Sequence, residues 1–126
     1  MPTSGLTLAY NYLEAIDLAS GERLLRVPHN QLTLIADHEI RSCKLALSGR
    51  WTDARPDISG FDPVTWAPIV ISLPGHAIFD LLIEKSGSGT VHPYVNLRNL
   101  TNEAYQEVAG YPAEGRSIET GIRANW

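Results

Sequence analysis

The chain has 126 residues, of which 44% are hydrophobic and 19% charged, and its formal net charge is −4. This composition excludes a disordered chain, and the absence of any apolar run near the roughly 20 residues of a membrane helix excludes a helical membrane protein. The negative charge, with no cluster of Lys and Arg, argues against a nucleic-acid partner.

Six segments alternate apolar and polar residues with a period of two, which is the pattern of β-strands. In the last of them Ile118 and Ile122 fall on one face, while Glu119 and Arg123 fall on the other. In the first, Leu13 breaks the alternation. The segments in chain order are 6–16, 31–40, 43–52, 76–85, 91–100 and 117–126. The sequence therefore predicts an all-β fold, an antiparallel up-and-down meander of about six strands.

The connections between these segments alternate in length. Short ones lie at Arg41-Ser42 and at 86–89, whereas long ones cover 17–30, 53–75 and 101–115. Short turns at one end and long loops at the other are typical of outer-membrane barrels, and about 10 residues is the length of a tilted membrane strand. We therefore predict a partial transmembrane β-barrel with its long loops outside. Six strands leave two open edges, so the chain is not expected to be a stable functional monomer alone.

Periodicity leaves a second interpretation open. Alternating strands also build small soluble β-barrels and β-sandwiches, whose apolar face points inward and can hold an apolar ligand. Aromatic residues at strand ends (Tyr12, Trp51 and Trp126) favour the membrane interpretation, because they suit its interfaces. The ionic residues share the opposite face, which suits either a wet lumen or a solvated surface. They are Asp37, Glu39, Lys44, Arg50, Asp80, Glu84, Arg98, Glu119 and Arg123.

Two local motifs lie near the end of the sequence. The stretch 94–105 reads Tyr-Val-Asn-Leu-Arg-Asn-Leu-Thr-Asn-Glu-Ala-Tyr, and a Gly-Tyr-Pro turn follows it. These motifs resemble the penultimate strand and loop in the C-terminal barrel segment of TonB-dependent outer-membrane receptors of Gram-negative bacteria. Stretches 11–15, 21–29 and 73–76 are similar to segments of the cobalamin-receptor branch. The residues that match the C-terminal motif are Asn99, Leu100, Thr101, Asn102, Glu103, Tyr105, Gly110, Tyr111, Pro112, Gly115 and Arg116.

The resemblance implies a function and partners. Such receptors take up a siderophore, cobalamin or a similar nutrient through a barrel of about 22 strands with an N-terminal plug that contacts TonB. We expect residues 1–126 to be the C-terminal part of that barrel, with no plug domain and no signal peptide, not competent for transport by itself and not exported as written. The expected surroundings are the lipid of the outer membrane. Ile118, Ile122 and Trp126 would form the signal for the barrel-assembly machinery.

Candidate ligand contacts lie in the loop 52–74. Phe61 and Trp66 can stack on a large hydrophobic ligand, with Asp57 and Asp62 nearby; loop–loop packing is the alternative role. The histidines are too widely spaced to predict a metal site, and Cys43 shows no activating pattern. The sequence therefore predicts no enzyme and no cofactor.

Overall fold

The computed structural model describes residues 3–125, which form ten β-strands. Six of them make one antiparallel sheet in the order β1-β2-β3-β6-β7-β10, and the others pair as two small hairpins, β4–β5 and β8–β9. None of the described residues belongs to a helix that could cross a membrane. The strands are β1 Thr3–Tyr12, β2 Asn30–Ile40, β3 Cys43–Thr52, β4 Arg55–Phe61, β5 Pro68–Leu73, β6 His76–Lys85, β7 Val91–Arg98, β8 Gln106–Val108, β9 Tyr111–Pro112 and β10 Ser117–Ala124.

The predicted six-strand meander is confirmed, and β3 and β6 have the predicted bounds. The first strand was placed too far along the chain: β1 begins at Thr3 and ends at Tyr12, just before the Leu13 that breaks the alternation. The long connections were predicted as loops, and this was incomplete, because 53–75 contains the β4–β5 hairpin and 101–115 contains the short β8–β9 pair.

All three long connections lie at one end of the sheet, here called the loop end. Tyr12 pairs with Asn30 there, and Thr52 pairs with both Gln31 and His76. The short turns lie at the opposite end, where Arg41 has a φ of 53° and Gly87 a φ of 122°, the positive values that tight reversals require. The predicted alternation of turns and loops is therefore present.

The register places most of the apolar residues of all six strands on one face. Leu34 pairs with Leu8 and Gly49, Leu47 pairs with Leu81, and Leu81 pairs with Leu97. We call this the apolar face. The opposite, polar face carries the ionic residues predicted for it, with the apolar side chains Ile35, Ile78 and Leu82 among them.

No layer of the described residues covers the apolar face. Leu6, Leu8, Ile118 and Ile122 are all about two-thirds exposed or more, and among the described residues the only buried hydrophobic side chain is Leu73. A small soluble barrel or sandwich would bury this face in its interior. The sheet is instead open, since β1 and β10 each pair on one side only. The soluble alternative does not fit this arrangement.

Candidate functional site

The buried polar residues gather at the loop end of the sheet. Thr52 ends β3, His76 begins β6 and Asn99 follows β7, while Arg55 and Asp57 lie in β4; each is at most 5% exposed. Because three separate connections return to this end, their polar side chains meet there. The cluster holds five of the seven buried residues of the described chain.

Asp57 joins three segments of the chain. Its Oδ1 accepts hydrogen bonds from Arg26 Nε and from the backbone N–H of Ile58, both at 2.8 Å, and its Oδ2 accepts the backbone N–H of Ala109 at 2.7 Å. The Ala109 N–H, followed by the Arg26 guanidinium, lowers the pKa of Asp57 to about 2. The carboxylate is therefore ionised at neutral pH, and both of its oxygens accept hydrogen bonds.

Arg55 ties the β4–β5 hairpin to the loop that contains β8. Its Nη2 donates to the carbonyl oxygens of Gln106 and Glu107 at 3.0 and 3.2 Å, and to Glu107 Oε2 at 3.3 Å. The side chain is 3% exposed, so a buried charge is matched by one carboxylate and two carbonyl dipoles.

His76 lies beneath the motif loop. Its ring stacks on Tyr105, with centroids 4.3 Å apart and planes 29° from parallel. Both ring nitrogens are buried without a hydrogen-bond partner, and Nε2 lies 3.9 Å from Glu107 Oε1. The stacking gives the motif residue Tyr105 a packing role at the base of its loop.

The other motif residues form a network centred on Asn99. The Asn99 Oδ1 accepts the N–H of Glu103 at 2.8 Å, and its Nδ2 donates to the carbonyl of Glu103 at 2.9 Å and to that of Glu114 at 3.3 Å. Asn102 Oδ1 in turn accepts the N–H of Arg116 at 2.9 Å. These bonds fasten the beginning of the loop to its end, so this part of the motif fixes the loop's shape.

The remaining motif positions are peripheral to that network. The N–H of Leu100 donates to the Phe79 carbonyl at 2.8 Å, and Gly110, with a φ of 83°, donates to Gln106 Oε1 at 2.9 Å. Tyr111 and Pro112 form β9 and are exposed, as are Thr101 and Gly115.

The structure separates the four predicted ligand contacts. Phe61, Asp62 and Trp66 lie at the tip of the β4–β5 hairpin, where Asp62 Oδ1 accepts the N–H groups of Val64 and Thr65. Phe61 is 58% and Trp66 77% exposed, whereas Asp57 has no exposed surface. Ligand binding by these four residues stays a prediction, and within the described structure Asp57 acts as an anchor.

The predicted assembly signal lies on an edge strand. Ile118 and Ile122 are exposed on the apolar face of β10, and Trp126 lies outside the described residues. No metal-binding group of three or more His, Cys, Asp or Glu occurs in residues 3–125.

Sequence reasoning missed the cluster of Arg26, Arg55, His76 and Glu107. In the sequence, the cluster is indicated only by position: each of these residues lies in or beside a long connection at the same predicted end of the sheet. Residue type alone favoured the aromatic residues Phe61 and Trp66 as ligand contacts.

Comparison with known proteins gives a structural likeness. No family model and no curated protein matches the sequence. Among solved structures, the chain is similar to the ferripyoverdine receptor of the outer membrane of Pseudomonas aeruginosa, bound to ferripyoverdine, with a TM-score of 0.79 and 15% identity. The likeness covers 96% of this chain and 17% of that one, so the chain spans about one sixth of the receptor. At this identity the likeness concerns the fold.

Proposed function

We propose that this chain is the C-terminal part of the barrel wall of a TonB-dependent outer-membrane receptor that takes up a siderophore, cobalamin or a similar nutrient. The observation that carries the proposal is the two-faced open sheet: an uncovered apolar face runs across all six strands, and a charged face lies behind it. Hydrocarbon on one side and water on the other is the environment that matches both faces.

The polar face supports a wet lumen in this proposal. Glu84 on β6 pairs with Arg123 on β10 at 2.6 Å, reaching across β7, and Arg98 pairs with Glu119 at 3.1 Å. Charged residues that pair with one another in this way suit a channel wall that faces water and is not packed against a protein core. The structural similarity to the ferripyoverdine receptor supports the same assignment independently of the sequence motifs.

The loop end would be extracellular in the intact receptor. There the exposed Phe61 and Trp66 would meet the incoming nutrient, with Asp62 beside them, while Asp57 holds the hairpin in place. The plug and TonB would act through the rest of the receptor, and the barrel-assembly machinery would read the end of the chain, including Ile118, Ile122 and Trp126.

A chimera tests the proposal, because it supplies the strands that the open edges need. The chain would replace the aligned segment of the ferripyoverdine receptor, and single nitroxide labels would be placed along β3 in a Cys43→Ser background. Labels at Leu45 and Leu47 should be accessible to oxygen dissolved in lipid, whereas labels at Ala46 and Ser48 should be accessible to a water-soluble nickel complex. A pattern without alternation, or with the two faces exchanged, would contradict the membrane assignment.

A further inference from the structure

A small cavity at the loop end is lined by three guanidinium groups. Arg26 reaches it from the β1–β2 connection, Arg50 from the polar face of β3 and Arg55 from the β4–β5 hairpin. Gln31, Thr52 and Glu107 complete its polar wall, and its volume is about 120 Å³. This is room for one small polar group.

The charges around the cavity do not balance. Arg26 is paired with Asp57, while Arg50 and Arg55 share the single carboxylate of Glu107. Three cations therefore face two carboxylates. The Arg50–Glu107 pair is the weakest, with a separation of 3.5 Å and both side chains more than half exposed. Arg50 thus has donors to offer to another anion.

The surroundings strengthen that excess charge. Arg55 is buried beside Thr52 and Asp57, so its charge is less screened than at an open surface, whereas Arg26 and Arg50 are each more than half exposed. His76, whose ring nitrogens have no hydrogen-bond partner, lies 3.9 Å from the Glu107 carboxylate. Among the described residues, Glu107 is the only acidic one that lines the cavity.

We propose that this cavity binds a carboxylate group, which a guanidinium fork accepts through two parallel hydrogen bonds. The carboxylate belongs either to a small molecule that enters from the loop end or to an acidic side chain elsewhere in the assembled barrel. This proposal rests on the proposed function in one respect, since it assumes that the chain folds in a membrane-like environment. If the chain folds there and binds no anion, the carboxylate site is wrong and the proposed function is unaffected.

The test is a titration with citrate at constant ionic strength, made on the full chain in detergent micelles after circular dichroism has shown its β-sheet, and on the chimera if the chain does not fold alone. Nitrogen-15 NMR of the arginine Nε–H groups reports the contact. Arg50→Gln should weaken citrate binding about tenfold or more, because it removes the least committed guanidinium. Arg123→Gln is the matched control, because Arg50 and Arg123 are both 56% exposed and ion-paired on the polar face. The citrate affinity of this variant should stay within about twofold of that of the wild-type chain.

Glu107→Gln separates binding from a structural effect. It removes the only acidic residue lining the cavity, so citrate should bind several-fold more tightly, whereas damage to the fold would weaken binding. Citrate that leaves the arginine signals of the folded wild-type chain unchanged would overturn the proposal. So would equal losses in Arg50→Gln and Arg123→Gln, or a loss in Glu107→Gln.

The same titration on the chimera identifies the source of the carboxylate. Binding that persists there supports a small-molecule ligand. Binding to the chain alone that disappears in the chimera supports an acidic side chain of the remaining barrel, which then occupies the cavity.

Discussion

The carboxylate of Asp57 accepts the backbone N–H of Ala109 at 2.7 Å, although the two residues are 52 positions apart. This bond connects the β4–β5 hairpin to the loop that carries the C-terminal motif. The same carboxylate holds Arg26 of the β1–β2 connection, so one side chain links all three long connections.

Replacing Asp57 should loosen that link without unfolding the sheet. In Asp57→Asn the charge is lost, and an NH₂ group, which only donates, replaces one carboxylate oxygen. The amide side chain therefore cannot accept the hydrogen bonds from both Ala109 and Arg26. Hydrogen exchange at the Ala109 amide should accelerate about tenfold, while amides of β3 and β6 keep their protection. Asp62→Asn is the control, because Asp62 bonds only within its own hairpin tip. Unchanged exchange at Ala109 would show that Asp57 is not the link.

The same group predicts a pH dependence. The pKa of Asp57 is about 2 in the folded chain, below the ordinary value of 3.8, so its ionised form stabilises the loops fully above pH 4. That contribution is lost as the pH falls from about 4 through 2. NMR of the Asp57 carboxyl carbon and the Ala109 amide should show both signals titrating together near pH 2. Titration of Asp57 near pH 4, or an unchanged Ala109 signal, would contradict the prediction.

Asn99 is the second position on which the loop end depends. It is 3% exposed and has a φ of 49°, and its backbone N–H donates to Asp80 Oδ1 at 2.8 Å. Asn99→Ala should cost about 2–4 kcal/mol, since the Glu103 N–H and carbonyl lose their buried partner. Positive φ adds about 1 kcal/mol for alanine, so Asn99→Gly isolates the side-chain contribution.

Urea unfolding of the chimera in detergent, followed by circular dichroism, measures these costs, because the chimera supplies the strands that the open edges of the sheet need. Asn96→Ala is the matched control, because Asn96 lies on the polar face of β7, three residues before Asn99, and its replacement should cost less than about 1 kcal/mol. Equal destabilisation at Asn96 and Asn99 would mean that the network is not what makes Asn99 important.

The long strands were predictable because apolar and polar residues alternate along most of their length, with exceptions such as Ile35, Ile78 and Leu82. The bounds of β3 and β6 follow from that alternation and from the turn residues beyond them. The end of β1 was less clear, since Leu13 leaves the pattern while its N–H still bonds to the His29 carbonyl.

The hairpin β4–β5 escaped prediction for the opposite reason. The buried positions of β4 are the charged Arg55 and Asp57, β5 buries only Leu73 at its end, and Pro56, Gly60 and Pro68 interrupt the segment. Hydrophobic periodicity cannot reveal a strand whose inward side chains are ionic. The cluster around Asp57 likewise depends on three connections converging, which no single stretch of sequence records.

The two faces of the sheet can be tested with neighbouring residues. Leu81 lies on the apolar face, paired with Leu47 and Leu97, and Leu82 lies on the polar face, paired with Ala46 and Asn96. Both are in the middle of β6 and partly buried. In the chimera, Leu81→Lys should cost about 2–4 kcal/mol because it places an ammonium group in hydrocarbon near the bilayer midplane.

Leu82→Lys makes the same chemical change one residue away and should be far less costly, since its ammonium group reaches the aqueous side. The measurement is the fraction of heat-modifiable folded barrel in the outer membrane, together with urea midpoints after refolding into lipid vesicles. If Leu82→Lys were the more damaging change, the polar face would be the buried one and the barrel-wall assignment would be wrong. Equal effects at both positions would equally contradict a sheet with lipid on one side and water on the other.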